Sequence, residues 1–141
     1  MNFFDSMDIS TTGLIAQRYR MNVASENLAN VDSTRTANGM PYRRKQVIMS
    51  AAGNYYEPFP NLMGTLGGAR VLAVVEDPTP FKQVHKPGHP DADKNGYVLM
   101  PNVNAVLEMA DILAATRAYE ANISAFQAAK SMIAKSWELA K

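Results

Sequence analysis

Apolar residues recur every seven positions near both ends of the 141-residue chain. This spacing is typical of helices that pack as a coiled coil, because it keeps the apolar side chains on one face. The pattern predicts an N-terminal helix within residues 1–30 and a C-terminal helix within residues 103–141. The N-terminal row consists of Met7, Leu14, Met21 and Leu28. The C-terminal helix has a row of Ile112, Tyr119, Phe126 and Ile133 and a second row of Met109, Thr116, Ile123 and Trp137.

The two predicted helices differ in how they begin. Asn102 and Asn104 can cap the C-terminal helix, because a side-chain oxygen at such a position accepts a hydrogen bond from a free backbone N–H. The N-terminal helix contains the run from Ser10 to Gly13, whose residues have low helix propensity. We therefore expect the N-terminal helix to begin near Asp8 or Ser10, or to kink there.

Further apolar residues lie outside the predicted rows. A hairpin of two helices would leave them in water, so they predict a third surface that another copy of the chain or another protein supplies. These residues are Phe4, Ile15 and Val23 in the N-terminal helix and Val106, Leu113 and Met132 in the C-terminal helix.

The middle of the chain, residues 31–102, contains all eight prolines and so cannot form long helices. Runs of β-branched and aromatic residues, bounded by Gly, Pro or Asn, predict four short strands there. The strands are expected at Arg44–Ser50, Ala69–Glu76, Phe81–Lys86 and Tyr97–Met100, with an extended loop over Ala51–Gly68. The predicted fold class is α+β, in which the terminal helices pair as a coiled coil and the middle forms a small β-rich insertion.

The composition narrows the function classes. The chain has 14 Lys and Arg against 13 Asp and Glu, which argues against a nucleic-acid binder that relies on phosphate contacts. It has no cysteine, and hence no disulfide or thiolate site. The first ten residues carry Asp5 and Asp8 and lack a continuous apolar run, so a cleaved signal peptide is not expected. No stretch predicts a membrane span.

Candidate catalytic groups are sparse. His85 and His89 are separated by Pro87 and Gly88, which prevent a shared helical face. The run Asp91-Ala-Asp93-Lys-Asn95-Gly96 matches the first half of a calcium loop, but Asn102 stands where the bidentate acid should be. A turn leading into the strand at residues 97–100 is the favoured interpretation of this run. We predict no enzymatic activity, no cofactor and no small-molecule substrate, and a metal-dependent enzyme remains the weakest alternative.

Arg43, Arg44 and Lys45 form a run of three consecutive basic residues. The favoured interpretation is a solvated strand end, and the alternative is an electrostatic contact with an acidic partner.

Several motifs resemble those of the flagellar axial proteins, the family of rod and hook subunits. The core motif A-x-N-L-A-N corresponds to Ser25-Glu26-Asn27-Leu28-Ala29-Asn30, with Ser25 in place of alanine. The segments that narrow the resemblance to the proximal rod proteins are PYR-KQV at 41–47, NGYV at 95–98, MPNV at 100–103 and RAYEAN at 117–122, the last matching R-x-Y-x-A-N. The resemblance extends over essentially the whole chain.

The resemblance implies a structural subunit of the bacterial flagellar basal body. Such subunits polymerise through their terminal helices into the rod, which transmits torque and encloses the export channel. The implied partners are other copies, the other proximal rod proteins, the basal rod adapter, the distal rod protein and the flagellar type III export apparatus. The implied location is the rod in the periplasmic space, reached without a cleaved signal peptide. A generic coiled-coil adaptor is the alternative, since it would explain the helices but not the motifs.

The rows and the motifs together give the expected functional residues. Phe3 and Met7 have the spacing of an export-recognition motif, with packing at the start of the helix as the alternative. The expected assembly interface comprises Leu14, Met21, Asn27, Leu28, Asn30, Ile112, Arg117, Tyr119, Asn122, Ile123, Phe126 and Ile133.

Overall fold

The computed structural model describes residues 3–51 and 67–139. Within these residues two long helices flank four short strands, as the apolar spacing and the proline distribution predict. The elements are α1 (Phe3–Ala29), β1 (Lys45–Ala51), β2 (Ala69–Glu76), β3 (Lys82–His85), β4 (Tyr97–Met100) and α2 (Ala105–Leu139). The predicted α+β class is confirmed. Most of the loop predicted between the first two strands lies outside the described residues. Across the described residues, neither helix has a segment long and apolar enough to cross a membrane.

α1 is continuous from Phe3, so the prediction that it begins near Asp8 or Ser10 is wrong. The hydroxyls of Ser10, Thr11 and Thr12 donate to carbonyls one turn earlier in the helix, at 2.7–2.9 Å. This bonding keeps the polar side chains satisfied within the helix instead of competing with it. The helix ends at Ala29, and the Asn30 side chain donates to the Glu26 carbonyl at 2.9 Å.

α2 begins where the sequence predicts. The Asn104 side-chain oxygen accepts a hydrogen bond from the Val106 N–H at 3.1 Å, which satisfies one of the free amides of the first turn. The helix then continues for 35 residues to Leu139.

The strands form two two-stranded sheets, β1 with β2 and β3 with β4. β3 and β4 are antiparallel, with Lys82 opposite Met100 and His85 opposite Tyr97. Gly96 precedes β4 with a φ of 79°, a conformation that favours glycine. The four predicted strands are confirmed, with ends shifted by one residue in β1 and β3.

Contacts group the chain into two compact units. The first comprises the described parts of Met1–Tyr19, Ile48–Ala73 and Ala114–Lys141, and the second comprises Arg20–Val47 and Val74–Leu113. Both helices contribute residues to both units. This grouping therefore cuts across the predicted segments 1–30, 31–102 and 103–141, which describe the order of elements along the chain.

The two units bury different kinds of side chain. In the first unit the buried residues are small, namely Ser10, Ala16, Ala115 and Ala129. The second unit buries larger residues and two polar ones, namely Val23, Ala24, Asn27, Pro41, Tyr42, Val98, Pro101, Val103 and Glu108.

The helices approach each other through small and polar residues. In the second unit, Arg20 donates to Asp111 at 2.6 Å and Asn27 donates to Glu108 at 3.0 Å, so the helices there run antiparallel. In the first unit, a Cβ atom added to Gly13 would lie 2.9 Å from the Asn122 side-chain oxygen. Pairing as a regular coiled coil along the whole helices stays a prediction.

The predicted second row of α2 is wrong for its first and last members, whereas Thr116 and Ile123 are half-buried. Met109 is 52% exposed and Trp137 is 74% exposed. The buried positions of α2 are Glu108, Ala115 and Ala129. Glu108 and Ala115 come one residue before Met109 and Thr116 of that row, and Ala129 follows Ala115 by two heptads. Small side chains at a helix contact allow the axes to come close, which large ones at the same positions would prevent. The first row is half-buried throughout, at Ile112, Tyr119, Phe126 and Ile133.

Candidate functional site

A buried polar cluster lies at the centre of the second unit, around Asn27. The side-chain oxygen of Asn27 accepts from the Tyr42 hydroxyl at 3.0 Å and from the Lys45 N–H at 2.9 Å. Its side-chain nitrogen donates to the Lys45 carbonyl at 2.8 Å and to Glu108 Oε2 at 3.0 Å. Asn27 is 1% exposed, and these four bonds use the full capacity of its amide.

Glu108 links the cluster to Arg44. The Arg44 Nε–H donates to Glu108 Oε1 at 2.6 Å, while Glu108 is 1% exposed. Arg44 also lies 3.4 Å from Asp77 and 3.8 Å from Asp111. A charged pair that is buried and fully hydrogen-bonded keeps both ions stable in the interior, whereas the loss of one partner would leave an uncompensated charge.

The cluster shifts the ionisation of its members. Burial raises the pKa of the Tyr42 hydroxyl to about 12, with further contributions from the charges of Glu26, Glu108 and Glu76. Burial alone would lower the pKa of Arg44, but the hydrogen bond and charge of Glu108, followed by those of Asp77, raise it. Both residues therefore stay in their protonated forms over the ordinary pH range.

The cluster continues into the loop before β3. The Arg44 N–H donates to the Asn102 side chain at 2.8 Å, and Asn102 donates to the Thr79 hydroxyl at 2.8 Å. Arg43 donates to the Asp77 carbonyl at 2.9 Å and lies 4.4 Å from the centre of the Phe81 ring. Hydrogen bonds from the backbone and side chain of Thr79 lower the pKa of Asp77, and Arg44 lowers it further.

The basic run Arg43–Lys45 is therefore tied into the second unit, and its interpretation as a solvated strand end is wrong. Its acidic partners belong to the same chain: Glu108 and Asp77 for Arg44, and Glu26 for Lys45. The physical reason is that Arg44 and Lys45 lie beside a carboxylate from α2 and one from α1, while Arg43 bonds the carbonyls of Asp77 and Thr79. This arrangement holds α1, β1 and α2 together in one geometry.

The structure brings three of the sequence motifs into this one cluster. Asn27 belongs to the A-x-N-L-A-N core, Tyr42 and Arg44 to the second motif, and Asn102 to the MPNV motif. Asn30, which the sequence places in the assembly interface, lies at the end of α1 and accepts from the Ser33 hydroxyl at 3.0 Å.

The R-x-Y-x-A-N motif lies in the first unit. Arg117 is exposed, and Tyr119 is half-buried on the row that the sequence predicts. The side chain of Asn122 donates to the Ala118 carbonyl at 2.9 Å and lies against Gly13. The remaining predicted interface residues are half-buried, namely Leu14, Met21, Leu28, Ile112, Ile123, Phe126 and Ile133. Met7 is also half-buried, and the side chain of Phe3 lies outside the described residues.

Both helices expose large apolar side chains, as the residues outside the predicted rows indicate. Val106 is 73% exposed and Leu113 is 61% exposed. Phe4, Ile15 and Met132 are exposed as well, but Val23 is buried, so the prediction is wrong for that residue. Val23 is turned inward because it adjoins Ala24 and precedes Asn27 by four residues, one helical turn.

Sequence reasoning missed Glu108, Asp111 and Arg20 as members of the helix contact. Glu108 offers a signal in retrospect, since it lies four residues before Ile112 and so falls on the inward face of the helix. A carboxylate at such a position requires a buried donor, and the basic run at Arg43–Lys45 supplies it.

The run Asp91–Gly96 forms a turn, and this interpretation is confirmed. Asp93 Oδ1 accepts from the backbone N–H groups of Asn95 and Tyr97, both at 2.8 Å. Asp91 accepts from the Thr34 hydroxyl at 2.8 Å. Among the residues that the structure describes, no group of three or more His, Asp or Glu could hold a metal ion.

The chain is similar to known proteins over nearly its full length. Residues 7–35 match the family described as "Flagella basal body rod protein", and residues 94–138 match "Flagellar basal body rod FlgEFG protein C-terminal". The flagellar basal-body rod protein FlgC of Borreliella burgdorferi is 44% identical, over 94% of this chain and 93% of the relative. FlgC of Bacillus subtilis is 42% identical over all of both chains, and FlgC of Salmonella typhimurium is 42% identical over 99% of this chain and 98% of the relative.

Proposed function

The chain belongs to the FlgC family of flagellar basal-body rod proteins, and from this premise we propose that it is a structural subunit of the proximal rod, which polymerises through its terminal helices. The family is named for a structural assembly, and the prediction that the chain is not an enzyme agrees with its relatives. The observation that carries the proposed mode of assembly is the set of large apolar side chains exposed on both helices. Contiguous exposed apolar surface marks a site of protein association.

The geometry supports a division of tasks within the subunit. In the polar cluster around Asn27 and Glu108 the hydrogen-bonding groups bond one another, so few of them are available to a neighbouring subunit. Val106, Met109 and Leu113 are exposed on one side of α2, at spacings of three and four residues that place them on one face. This face is the proposed surface for neighbouring subunits.

The finer features of the proposal come from the family. The assembled helices would enclose the export channel and transmit torque, with other copies, the other proximal rod proteins, the basal rod adapter and the distal rod protein as neighbours. The subunit would act in the flagellar basal body, within the periplasmic space, after export by the flagellar type III apparatus without a cleaved signal peptide. Phe3 and Met7 would form its export signal, a role that loss of secretion in a Phe3→Ala, Met7→Ala chain would support and normal secretion would contradict.

A generic coiled-coil adaptor is the second candidate for a chain with two long helices. It accounts less well for this protein, because the similarity to FlgC extends beyond the helices to the strands and the motifs between them. An adaptor would also form a soluble oligomer of fixed size, whereas a rod subunit would be incorporated into isolated basal bodies.

The test is a charge placed on the exposed face of α2. Burial of a leucine contributes roughly 1.5–3 kcal/mol, and a carboxylate in its place would face apolar surface at every subunit contact. We therefore expect Leu113→Asp to abolish rod assembly and motility, while the unfolding free energy of the isolated subunit changes by less than about 0.5 kcal/mol. The matched control is Gln127→Asp, which introduces the same charge at an exposed polar position of the same helix. A motile Leu113→Asp strain with complete rods would refute this mode of assembly.

A further inference from the structure

The apolar rows of the two helices do not by themselves define how far one helix is shifted along the other. Both rows repeat every seven residues, at Met7 to Leu28 in α1 and at Ile112 to Ile133 in α2. A shift of one heptad, about 10 Å at 1.5 Å per residue, would again place apolar residues opposite apolar residues. Small buried residues such as Ala115 and Ala129 are also seven apart or a multiple of seven, so they fit the shifted arrangement as well.

The polar cluster lacks this repeat. Seven residues after Glu108 in α2 stands Ala115, which offers no acceptor to Asn27 or Arg44. A shift in the other direction would place Glu108 opposite Arg20, seven residues before Asn27, and would break the 2.6 Å bond from Arg20 to Asp111. Asn27 would then lie beyond the start of α2 at Ala105 and would lose its acceptor. The bonds of the cluster can therefore form in one alignment of the helices and in neither of the adjacent ones.

Two consecutive residues, Arg44 just before β1 and Lys45 at its start, bond one helix each. The backbone of Lys45 exchanges two hydrogen bonds with the Asn27 side chain of α1, at 2.8 and 2.9 Å. The Arg44 side chain bonds Glu108 of α2 at 2.6 Å. Because these two residues are adjacent in the chain, both helices are aligned against the same point of β1.

We propose that Asn27, Arg44 and Glu108 determine the register of the α1–α2 pair, selecting it from alignments that the apolar pattern allows equally. A single buried polar group that fixes register is a well-attested use of such groups in paired helices. A shift by one heptad would separate the Glu108 carboxylate from both Asn27 and Arg44, and Arg44 would keep only Asp77 as a carboxylate partner. The inference concerns the isolated chain and does not depend on the proposed function.

The absence of cysteine from the chain allows register to be measured by engineered disulfides. A Cβ added to Gly13 would lie 3.0 Å from the Asn122 Cγ, so cysteines at positions 13 and 122 are placed to bridge in the observed register. Cysteines at positions 13 and 115, or 13 and 129, would bridge only after a shift of one heptad in either direction. Each pair is introduced separately into the full chain and equilibrated in a glutathione buffer.

The readout is the ratio of the 13–122 bridge to each shifted bridge, because partial fraying of the helices lowers all three together. The test background replaces the three polar residues at once, as Asn27→Leu, Arg44→Met and Glu108→Leu, so that no buried charge is left unpaired. We expect the ratio to fall at least about tenfold, since each charge-assisted bond that distinguishes the registers is lost. The matched control makes comparable changes at exposed positions, as Ser25→Leu, Arg18→Met and Glu120→Leu, and should keep the native ratio.

Circular dichroism decides whether the triple variant is folded. If it retains its helices and bridges only at 13–122, as the control does, the inference is wrong. If it loses its helices, Glu108→Gln replaces it, since glutamine keeps the shape and one acceptor while removing the charge. A folded Glu108→Gln chain should still show a smaller ratio than the native chain, and an unchanged ratio there would equally overturn the inference.

Discussion

The two compact units of the subunit are held together by different kinds of buried side chain. In the first unit, Ala16, Ala115 and Ala129 account for nearly all of the buried described positions, and larger apolar residues are half-buried or exposed. In the second unit, Val98 and Val103 are buried, and so are the central members of the polar cluster, Asn27 and Glu108, which are each 1% exposed. The second unit thus contains hydrogen-bonded contacts that define its own structure, while the described part of the first is joined mainly through small side chains. Both units also expose large apolar residues, such as Phe4 in the first and Leu113 in the second.

Simple energetics explains why this difference matters. Burial of an alanine methyl contributes far less than burial of a leucine or phenylalanine, because the effect follows the apolar area removed from water. Ordering the backbone costs roughly 1–2 kcal/mol per residue regardless of side chain. A helix pair joined through alanine, glycine and serine is therefore marginal alone. Such a segment would gain stability from contact with another molecule.

The largest expected effect is a difference in hydrogen exchange between the units of the purified subunit. Amides near Ala16 and Ala129 should exchange at least about 100-fold faster than those near Asn27 and Glu108, because local opening follows local burial. Trypsin should accordingly cut first at Arg18, Arg117 or Lys130. Arg20 should be cut later, because its side chain is bonded to Asp111. Uniform protection in both units would mean that the helix pair is stable without a partner.

The next largest effect should come from removing Glu108. Glu108→Ala removes the 2.6 Å bond to Arg44, which keeps Asp77 at 3.4 Å, and leaves one buried Asn27 N–H without an acceptor. Loss of one partner of a buried pair typically costs about 3–5 kcal/mol. Urea denaturation of the purified subunit measures this loss. Exchange protection near Tyr42 should fall with it, because the Tyr42 hydroxyl bonds the same Asn27 side chain.

The control for this prediction is Glu120→Ala. Glu120 lies on the same helix but is exposed, so the change should cost less than about 0.5 kcal/mol. Equal effects of the two substitutions would show that the buried carboxylate has no special role in the second unit.

Much of the fold follows from the sequence, because the signals involved are local. Prolines confine the strands to the middle, and the Asn104 cap and the heptad spacing define α2. The inward positions of α2 do not follow, because the hydrophobic scale favours Met109 and Trp137 over Glu108 and Ala115. Burial there depends on how closely the helices approach and on donors that come from β1, and both are properties of the tertiary structure. The motifs gave a further indication, because two of their residues, Asn27 and Asn102, belong to the polar cluster of the second unit.

A smaller effect is expected at the close approach of the helices in the first unit. Replacing glycine by alanine inside a helix gains about 1 kcal/mol of helix propensity. At Gly13 the added methyl would lie 2.9 Å from the Asn122 side-chain oxygen, so the Asn122 side chain must move and part of the gain is lost. We expect Gly13→Ala to raise the melting temperature more in an Asn122→Ala chain than in the native chain. The same rise in both chains would show that the contact does not constrain the first unit.

The smallest effect concerns the hydroxyl of Tyr42 and its dependence on pH. The pKa of Tyr42 is raised to about 12 by burial and by the charges of Glu26, Glu108 and Glu76. A raised pKa means that the native state holds the proton more tightly than the unfolded chain, whose tyrosine pKa is about 10. The stabilising contribution is therefore fully present below about pH 10 and is lost as the pH rises toward about 12.

Tyr42→Phe should lower the unfolding free energy by about 1 kcal/mol at neutral pH, because it removes the bond to Asn27. It should also flatten the fall in stability between about pH 10 and 12. Urea denaturation across this range and the absorbance of tyrosinate measure both quantities. A native chain without a late-ionising tyrosine, or one that Tyr42→Phe does not remove, would show that the cluster does not shield the Tyr42 hydroxyl.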